Sequence, residues 1–298
     1  MTHKHAQGGT GTSLERNLLV TMLLNFLVTA VEAAGGIVSG SLSLLSDATH
    51  NFSDGIAVII SYIAIRLSRR PRTLKYTFGL KRTEVLAAII NASTLIVISF
   101  FLIREAIERF SNPTPITGTL MLVVAVIGLA ANIVGTVLLK KGASENINVR
   151  AAYVHLQSDA VSSLAVIIGA VCIIVFNVSW IDPALTIVIS LYILKEAYEI
   201  VKEAIDVLLM SAPTDIDLND VQRALEAIAG VKNIHHVHVW KMNDSESHFE
   251  AHIDVEDLLV SRTGSIRAEI ERCLHDRYEI HHTTLQFECD SCQTKALI

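Results

Sequence analysis

Charge is scarce over most of this chain. Charged residues make up 18% of its 298 positions and hydrophobic ones 51%, whereas a soluble domain carries about 25% charged residues. The charges are sparse up to Met210 and dense beyond it. That distribution excludes a single globular core and predicts a membrane segment followed by a soluble tail. Cysteine is scarce as well. Of the four, Cys172 lies in an apolar run, Cys273 in a predicted helix, and Cys289 and Cys292 form a CxxC near the end. This layout excludes a secreted disulfide framework. The opening MTHKHAQGGTGTSLERN has no compact apolar stretch and no cleavage site, and the first apolar run is too long for a signal peptide, so no cleaved leader is expected. HExxH is absent, which argues against an intramembrane zinc protease. The net charge of −6 sits mostly in the tail and does not suggest a nucleic-acid partner.

What is present is a succession of long apolar runs, with a mean hydropathy of +0.46 over the chain. A bilayer span needs about 20 apolar residues. Six runs qualify: Leu18–Val38, Leu44–Leu67, Val85–Ile107, Ile116–Leu139, Ala151–Phe176 and Pro183–Ile205. Turn chemistry separates them at Gly40-Ser41, Arg70-Pro71, Asn112-Pro113, Lys141-Gly142 and Asp182-Pro183. The second connection holds Arg66, Arg69, Arg70, Arg72, Lys75, Lys81 and Arg82, and the fourth holds Lys140, Lys141 and Arg150. The first and fifth hold no base, and the third has only Arg109 beside it. This asymmetry predicts that both termini and the second and fourth connections are cytoplasmic. The expected domains are a cytoplasmic N-terminal tail (1–17), a six-helix transmembrane transport domain (18–210) and a cytoplasmic domain (211–298).

Beyond Pro213 the pattern changes. Asp217 can cap a helix that runs to Ala229 and stops at Gly230. Val237 and Val239 alternate with His236, His238 and Trp240. Phe249, Ala251, Ile253 and Val255 alternate with His248, Glu250, His252 and Asp254. Both segments predict strands with one wet face, joined by a turn at Asn243–Glu246. A helix over Ile266–Tyr278 and a strand over Thr284–Glu288 complete an α-β-β-α-β tail with two helices on one face of a small sheet.

Ionisable residues at membrane depth are costly and therefore functional candidates. The second run holds His50-x-x-x-Asp54 and the fifth His155-x-x-x-Asp159. At this spacing both side chains leave one face of a helix. If the two faces meet, two imidazoles and two carboxylates converge as a tetrahedral set suited to zinc. The alternative is that each pair is a helix–helix contact in which Asp accepts a hydrogen bond from His. Glu32, Asn25, Asp47, Asn51 and Asn91 are also polar within the runs. They would line a water-filled pathway or hydrogen-bond between helices.

SGSLSLLSDATHNFSD, YTFGLKRTEVLAA, NPTPI, NVRAAYVHLQSDAVSS, WIDPALTIVIS, HHVHVW and TTLQFE together resemble the cation diffusion facilitator family, in its bacterial zinc-exporter branch, over almost the whole chain. The resemblance implies a transport site at His50, Asp54, His155 and Asp159. It also implies a homodimer in the inner (plasma) membrane with its lipid bilayer, alternating access, exchange of zinc ions for protons, and a ferredoxin-like cytoplasmic tail. Cadmium or cobalt would be further cargo. In the tail it implies metal ligands at His235, His252, His281 and Glu288, with Cys289, Cys292 and the N-terminal His3 and His5 similar to an arrangement in related vesicular exporters. Strand alternation conflicts with one of these, since it puts His236, not His235, on the face shared with His252 and Glu288. The sequence also departs from some members of the family. Ser68–Arg82 has no Asp or His, so no metal site is expected there, and Lys141–Asn148 is short and without His.

Overall fold

The apolar runs fold as six long helices: α1 (Thr10–Ser39), α2 (Leu42–Ser68), α3 (Thr83–Ser111), α4 (Gly118–Leu139), α5 (Ile147–Phe176) and α6 (Ile181–Leu208). The computed structural model describes residues 10–140, 147–243, 246–292 and 294–298. Most of the connection that begins at Lys141, together with His3 and His5, lies outside the described residues. Among the described residues, four helical stretches are long and apolar enough to cross a membrane: Val20–Ser39, Thr83–Ser111, Gly118–Leu139 and Ala152–Phe176. Helices α2 and α6 are as long, but ionisable residues such as Asp47, Asp54, Lys195 and Glu196 interrupt their apolar sequence. The helices turn large apolar side chains outward, Val161 at 69% exposure and Phe100 at 67%. Water does not favour such a surface, and lipid does. The chain is a multi-pass membrane protein.

By internal contacts the chain divides into two units, Met1–Ile60 with Ile90–Ile200, and Ser61–Ile89 with Val201–Ile298. In the first, Leu44 of α2, Met121, Val124 and Ala125 of α4, and Val166, Ala170 and Ile173 of α5 form a buried core. Small residues set how closely the helices approach. A Cβ on Gly128 of α4 would stand 2.3 Å from Glu32 Oε1 of α1, so this contact exists only because residue 128 has no side chain.

Helix α1 passes into α2 through Gly40, whose φ of +74° suits glycine. The first amides of α2 are capped from far along the chain. Asp182, fully buried in the first turn of α6, accepts hydrogen bonds from Leu42 N (2.8 Å), Ser43 N (3.2 Å), Ser41 Oγ (2.6 Å) and Ser43 Oγ (2.6 Å). It satisfies donors that a helix start otherwise leaves open. The break predicted at Asp182-Pro183 is therefore part of α6. Proline is tolerated there because the first turn needs no amide from it.

In the second unit, α7 (Leu218–Glu226), β1 (Val231–Asn243), β2 (Glu246–Val255), α8 (Thr263–Tyr278) and β3 (His282–Glu288) follow in the predicted order. Asp217 caps α7 by accepting from Asn219 N at 2.9 Å. The helix stops three residues before the predicted Ala229. The sheet order is β1-β2-β3, with β1 antiparallel and β3 parallel to β2, so α8 is the crossover that a parallel pair requires. Val221 and Leu225 of α7 and Ile266, Ile270 and Leu274 of α8 share one core with Val237, Val239, Phe249, Ala251 and Ile253 of the sheet. The ladder slips between His235 and His238. His236 there adopts a φ of +49°, and His236 N and Val237 N donate to Ala296 O and Leu297 O of the chain end instead of to β2. The bulge overturns the expected alternation.

Candidate metal sites

Asp47, His50, Asn51 and Asp54 recur at helical spacing on α2, as do His155, Asp159 and Ser162 on α5. The two faces meet. His50 Nε2 lies 3.4 Å from Asp54 Oδ2, His155 Nε2 lies 3.4 Å from the same oxygen, and His155 Nε2 lies 3.5 Å from Asp159 Oδ2. Ligand atoms of His50, His155 and Asp159 all fall within 4.8 Å of one another. The imidazole planes of His50 and His155 are inclined at 65°, with centroids 6.1 Å apart. Asp54 Oδ2 and Asp159 Oδ2 are out of solvent and have no hydrogen-bond partner. The plain His–Asp hydrogen bond is therefore not what these pairs form. In a tetrahedral site with metal–ligand bonds of about 2.0–2.1 Å, neighbouring ligand atoms are roughly 3.3 Å apart. The spacing here is close to that edge, and the uncompensated oxygens are what a cation would satisfy.

A polar layer backs this set. Ser162 Oγ donates to Asp47 Oδ1 at 2.7 Å, and Asn51 Nδ2 donates to Glu32 Oε2 at 3.2 Å. Glu32 is 1% exposed and Asp47 2%. Both lie within about two turns of the α1–α2 connection. Toward the other ends of these helices the packing opens. One cavity of about 440 Å³ reaches Asp54 and His155 past Thr21, Asn25 and Leu139. Another, of about 590 Å³, reaches His50 and His155 past Arg150, Tyr192 and Glu196. The sequence reading missed Ser162, Tyr192 and Glu196. A serine three residues after Asp159 on the same helix face, and a glutamate inside the sixth apolar run, were the available signals.

The tail holds a second convergence. His235 Nε2 stands 2.9 Å from Glu288 Oε1, and His252 Nδ1 stands 3.2 Å from Glu288 Oε2. Cys292 Sγ lies 3.6 Å from His252 Nδ1 and 3.4 Å from Glu288 Oε2. Ligand atoms of these four residues lie within 4.8 Å of one another. His235 Nε2 and Glu288 Oε1 face each other without hydrogen-bond geometry and are buried, as lone pairs do when they point at a common centre. Burial works to raise the Glu288 carboxyl, but the Cys292 thiol and the His235 and His252 imidazoles together hold it below its ordinary range.

The bulge at His236 puts His235 in this group, the reverse of what strict alternation predicts, while the His236 ring packs against His252 with centroids 4.9 Å apart. His281 does not join. It lies one residue before β3, whose first residue, His282, pairs with His248 and not with His252. The His281 ring instead packs on His275, centroids 4.8 Å apart. Cys289 is exposed. The strand turns Glu288 inward and Cys289 outward, and Asp290, at a φ of +46°, turns the chain so that Cys292 comes back.

Two family descriptions match this chain: the cation efflux transmembrane domain over residues 18–209 and the cation efflux protein cytoplasmic domain over residues 213–289. The "Cadmium, cobalt and zinc/H(+)-K(+) antiporter" of Bacillus subtilis (strain 168) is 36% identical over 98% of this chain and 93% of its own length. "Zinc transporter ZitB" of Escherichia coli (strain K12) is 39% identical over 98% of this chain and 94% of its own. The solved "Metal-bound C-terminal domain of the CzcD transporter from Cuprividus metallidurans" is 27% identical, with a TM-score of 0.23, over 24% of this chain and 99% of that one.

Proposed function

The chain belongs to the cation efflux family, a family of metal-cation transporters and not of enzymes, and from that premise we propose that it exports Zn2+ from the cytoplasm in exchange for protons. Cd2+ or Co2+ are further candidate cargo. Residues 18–210 form its six-span transport domain. Residues 211–298 form a cytoplasmic metal-binding and dimerising domain, and 1–17 a cytoplasmic N-terminal tail. The working unit is a homodimer in the inner membrane with all termini cytoplasmic.

The observation that carries this reading is the meeting of His50, Asp54, His155 and Asp159 at ligand spacing with partnerless carboxylate oxygens. Zinc takes neutral imidazole and ionised carboxylate, so protons compete with it for the same atoms. With the site open to a neutral cytoplasm, protons leave and zinc binds. With it open to a more acidic exterior, zinc leaves and protons return, the imidazoles being the natural carriers. Two cavities reach the site from the ends of the helices read as cytoplasmic, and a third, of about 550 Å³, reaches His50 and Asp159 past Ser162, Ala165 and Val188.

The test is zinc uptake into inverted vesicles under an imposed pH gradient. Exchange requires that uptake accelerate when the vesicle lumen is acidified. A metal sensor gives no flux, and a channel gives flux that follows zinc but is not driven by protons.

Selectivity is set by the donor set. His50→Asp replaces an imidazole with a carboxylate, which suits harder ions and tolerates looser geometry. We expect transport to persist, manganese or cadmium flux to rise several-fold relative to zinc, and the pH dependence to weaken. Competitive uptake at fixed pH measures both. An unchanged metal ratio and pH profile would remove His50 from the ligands, with Asp47 the next candidate.

The two tail cysteines are expected to behave differently. Cys292→Ser lowers tail metal affinity by at least about tenfold, whereas Cys289→Ser leaves it unchanged and both variants continue to transport. Chelator competition on the purified full chain reads the affinity. Equal effects of the two substitutions would mean that the tail metal is not held by the His235, His252, Glu288 and Cys292 group.

A further inference from the structure

We propose that the connection between α2 and α3 is a binding site for the phosphate headgroup of an anionic membrane lipid. Within the second unit, a cavity of about 550 Å³ is lined by Arg69, Arg70 and Arg72 together with Lys81, Glu84 and Glu246. The negative groups are already engaged. Glu246 pairs with Lys81, and Glu84 accepts hydrogen bonds from Ser68 Oγ and Asn243 Nδ2. Among the described residues, Arg69, Arg70 and Arg72 form no ion pair with any carboxylate. Three arginines therefore line one cavity with no carboxylate paired to them. Guanidinium offers the planar fork of donors that fits a phosphate bidentately.

The apolar residues of the same segment favour a lipid over a soluble anion. Ile65, at the end of α2, lines the cavity. Leu74 is fully exposed, and Tyr76 and Phe78 are each about half exposed. Lys75 Nζ lies 5.4 Å from the Tyr76 ring centroid. Cations interleaved with exposed apolar and aromatic side chains, directly after a long apolar helix, match the boundary between headgroups and acyl chains. A free anion would use the guanidiniums and leave Leu74 without a role.

The inference rests on the membrane reading only for where this segment lies, and it is tested apart from transport. The purified full-length chain in non-ionic detergent is titrated with short-chain phosphatidylglycerol and, separately, phosphatidylcholine. Bound lipid is counted by native mass spectrometry, with inorganic phosphate as competitor. The wild type is expected to prefer phosphatidylglycerol by about ten- to hundredfold, and R69Q/R70Q/R72Q to lose that preference. R69K/R70K/R72K keeps the charge and loses the fork, so it falls between them. It also serves as the readout if the glutamine variant no longer folds. Leu74→Ser is expected to weaken lipid binding and leave phosphate binding alone. An unchanged preference in both arginine variants overturns the proposal. Inorganic phosphate that binds as tightly as the lipid also overturns it, because the ligand would then be a soluble anion.

Discussion

Asp159→Ala is expected to abolish zinc transport, with flux falling by roughly two to three orders of magnitude. Asp159 is 2% exposed, and its Oδ2 lies 3.5 Å from His155 Nε2 with no hydrogen-bond partner. Removing it takes a negative ligand from a buried cation, and stripping one partner from a buried charge pair costs about 3–5 kcal/mol. Asp159→Asn separates charge from shape: the amide keeps the volume but cannot neutralise the ion, so it should fail nearly as completely. Asp54→Ala follows the same reasoning, since Asp54 Oδ2 is shared between His50 and His155 at 3.4 Å from each. Initial rates of zinc uptake into inverted vesicles give the result, and retained tail metal reports that each variant is folded. Wild-type rates in either alanine variant would mean that the cargo binds elsewhere.

The second large effect is acid sensitivity that originates in the tail. His248 is 1% exposed, stacked on Trp240 at 5.4 Å and against His282 at 4.2 Å between ring centroids. Neither of its ring nitrogens has a hydrogen-bond partner. Burial first, then His282, Lys81 and Arg72, lowers its pKa from 6.5 to about 4. In the unfolded chain the imidazole returns to its ordinary value. Between pH 6.5 and about 4 the unfolded state therefore binds a proton that the folded state refuses, and stability falls as pH falls. The contribution is complete above pH 6.5, and at most about 3 kcal/mol of it is lost by the time pH falls to 4. Denaturant unfolding followed by Trp240 fluorescence, in a metal-free Trp180→Phe background, measures the slope. His248→Phe should flatten it, and an identical slope in that variant would place the acid-sensitive group elsewhere.

Much of this architecture was legible because it follows from periodicity. The repeated i,i+4 pairs on the second and fifth apolar runs brought out His50, Asp54, His155 and Asp159, since a helix must put such pairs on one face. The tail's order of helices and strands followed from its alternation and its Asp217 cap. What was not legible depends on single backbone departures and on distant partners. The positive φ at His236 shifts the strand by one face and puts His235, not His236, against Glu288. A turn at Asp290 selects Cys292 over Cys289. The register of β3 removes His281, because β3 meets β2 at His248 and reaches His252 only at Gln286. Glu196 stands out as a glutamate inside an apolar run, but its proximity to the site depends on how α6 packs against its neighbours.

Asp182 has a consequence for how the protein is made. The donors at the start of α2 wait for a carboxylate encoded about 140 positions later. During synthesis α2 therefore enters the bilayer before its cap exists. In a nascent chain halted after α5 the Leu42 and Ser43 amides lack the carboxylate that accepts from them, and surrounding water or headgroups take its place. Arrival of α6 is thus the event that locks the first hairpin as well as the last. An assembly factor or quality-control protease that surveys half-made chains would find its signal at residues 41–43, about 140 positions before the helix still missing.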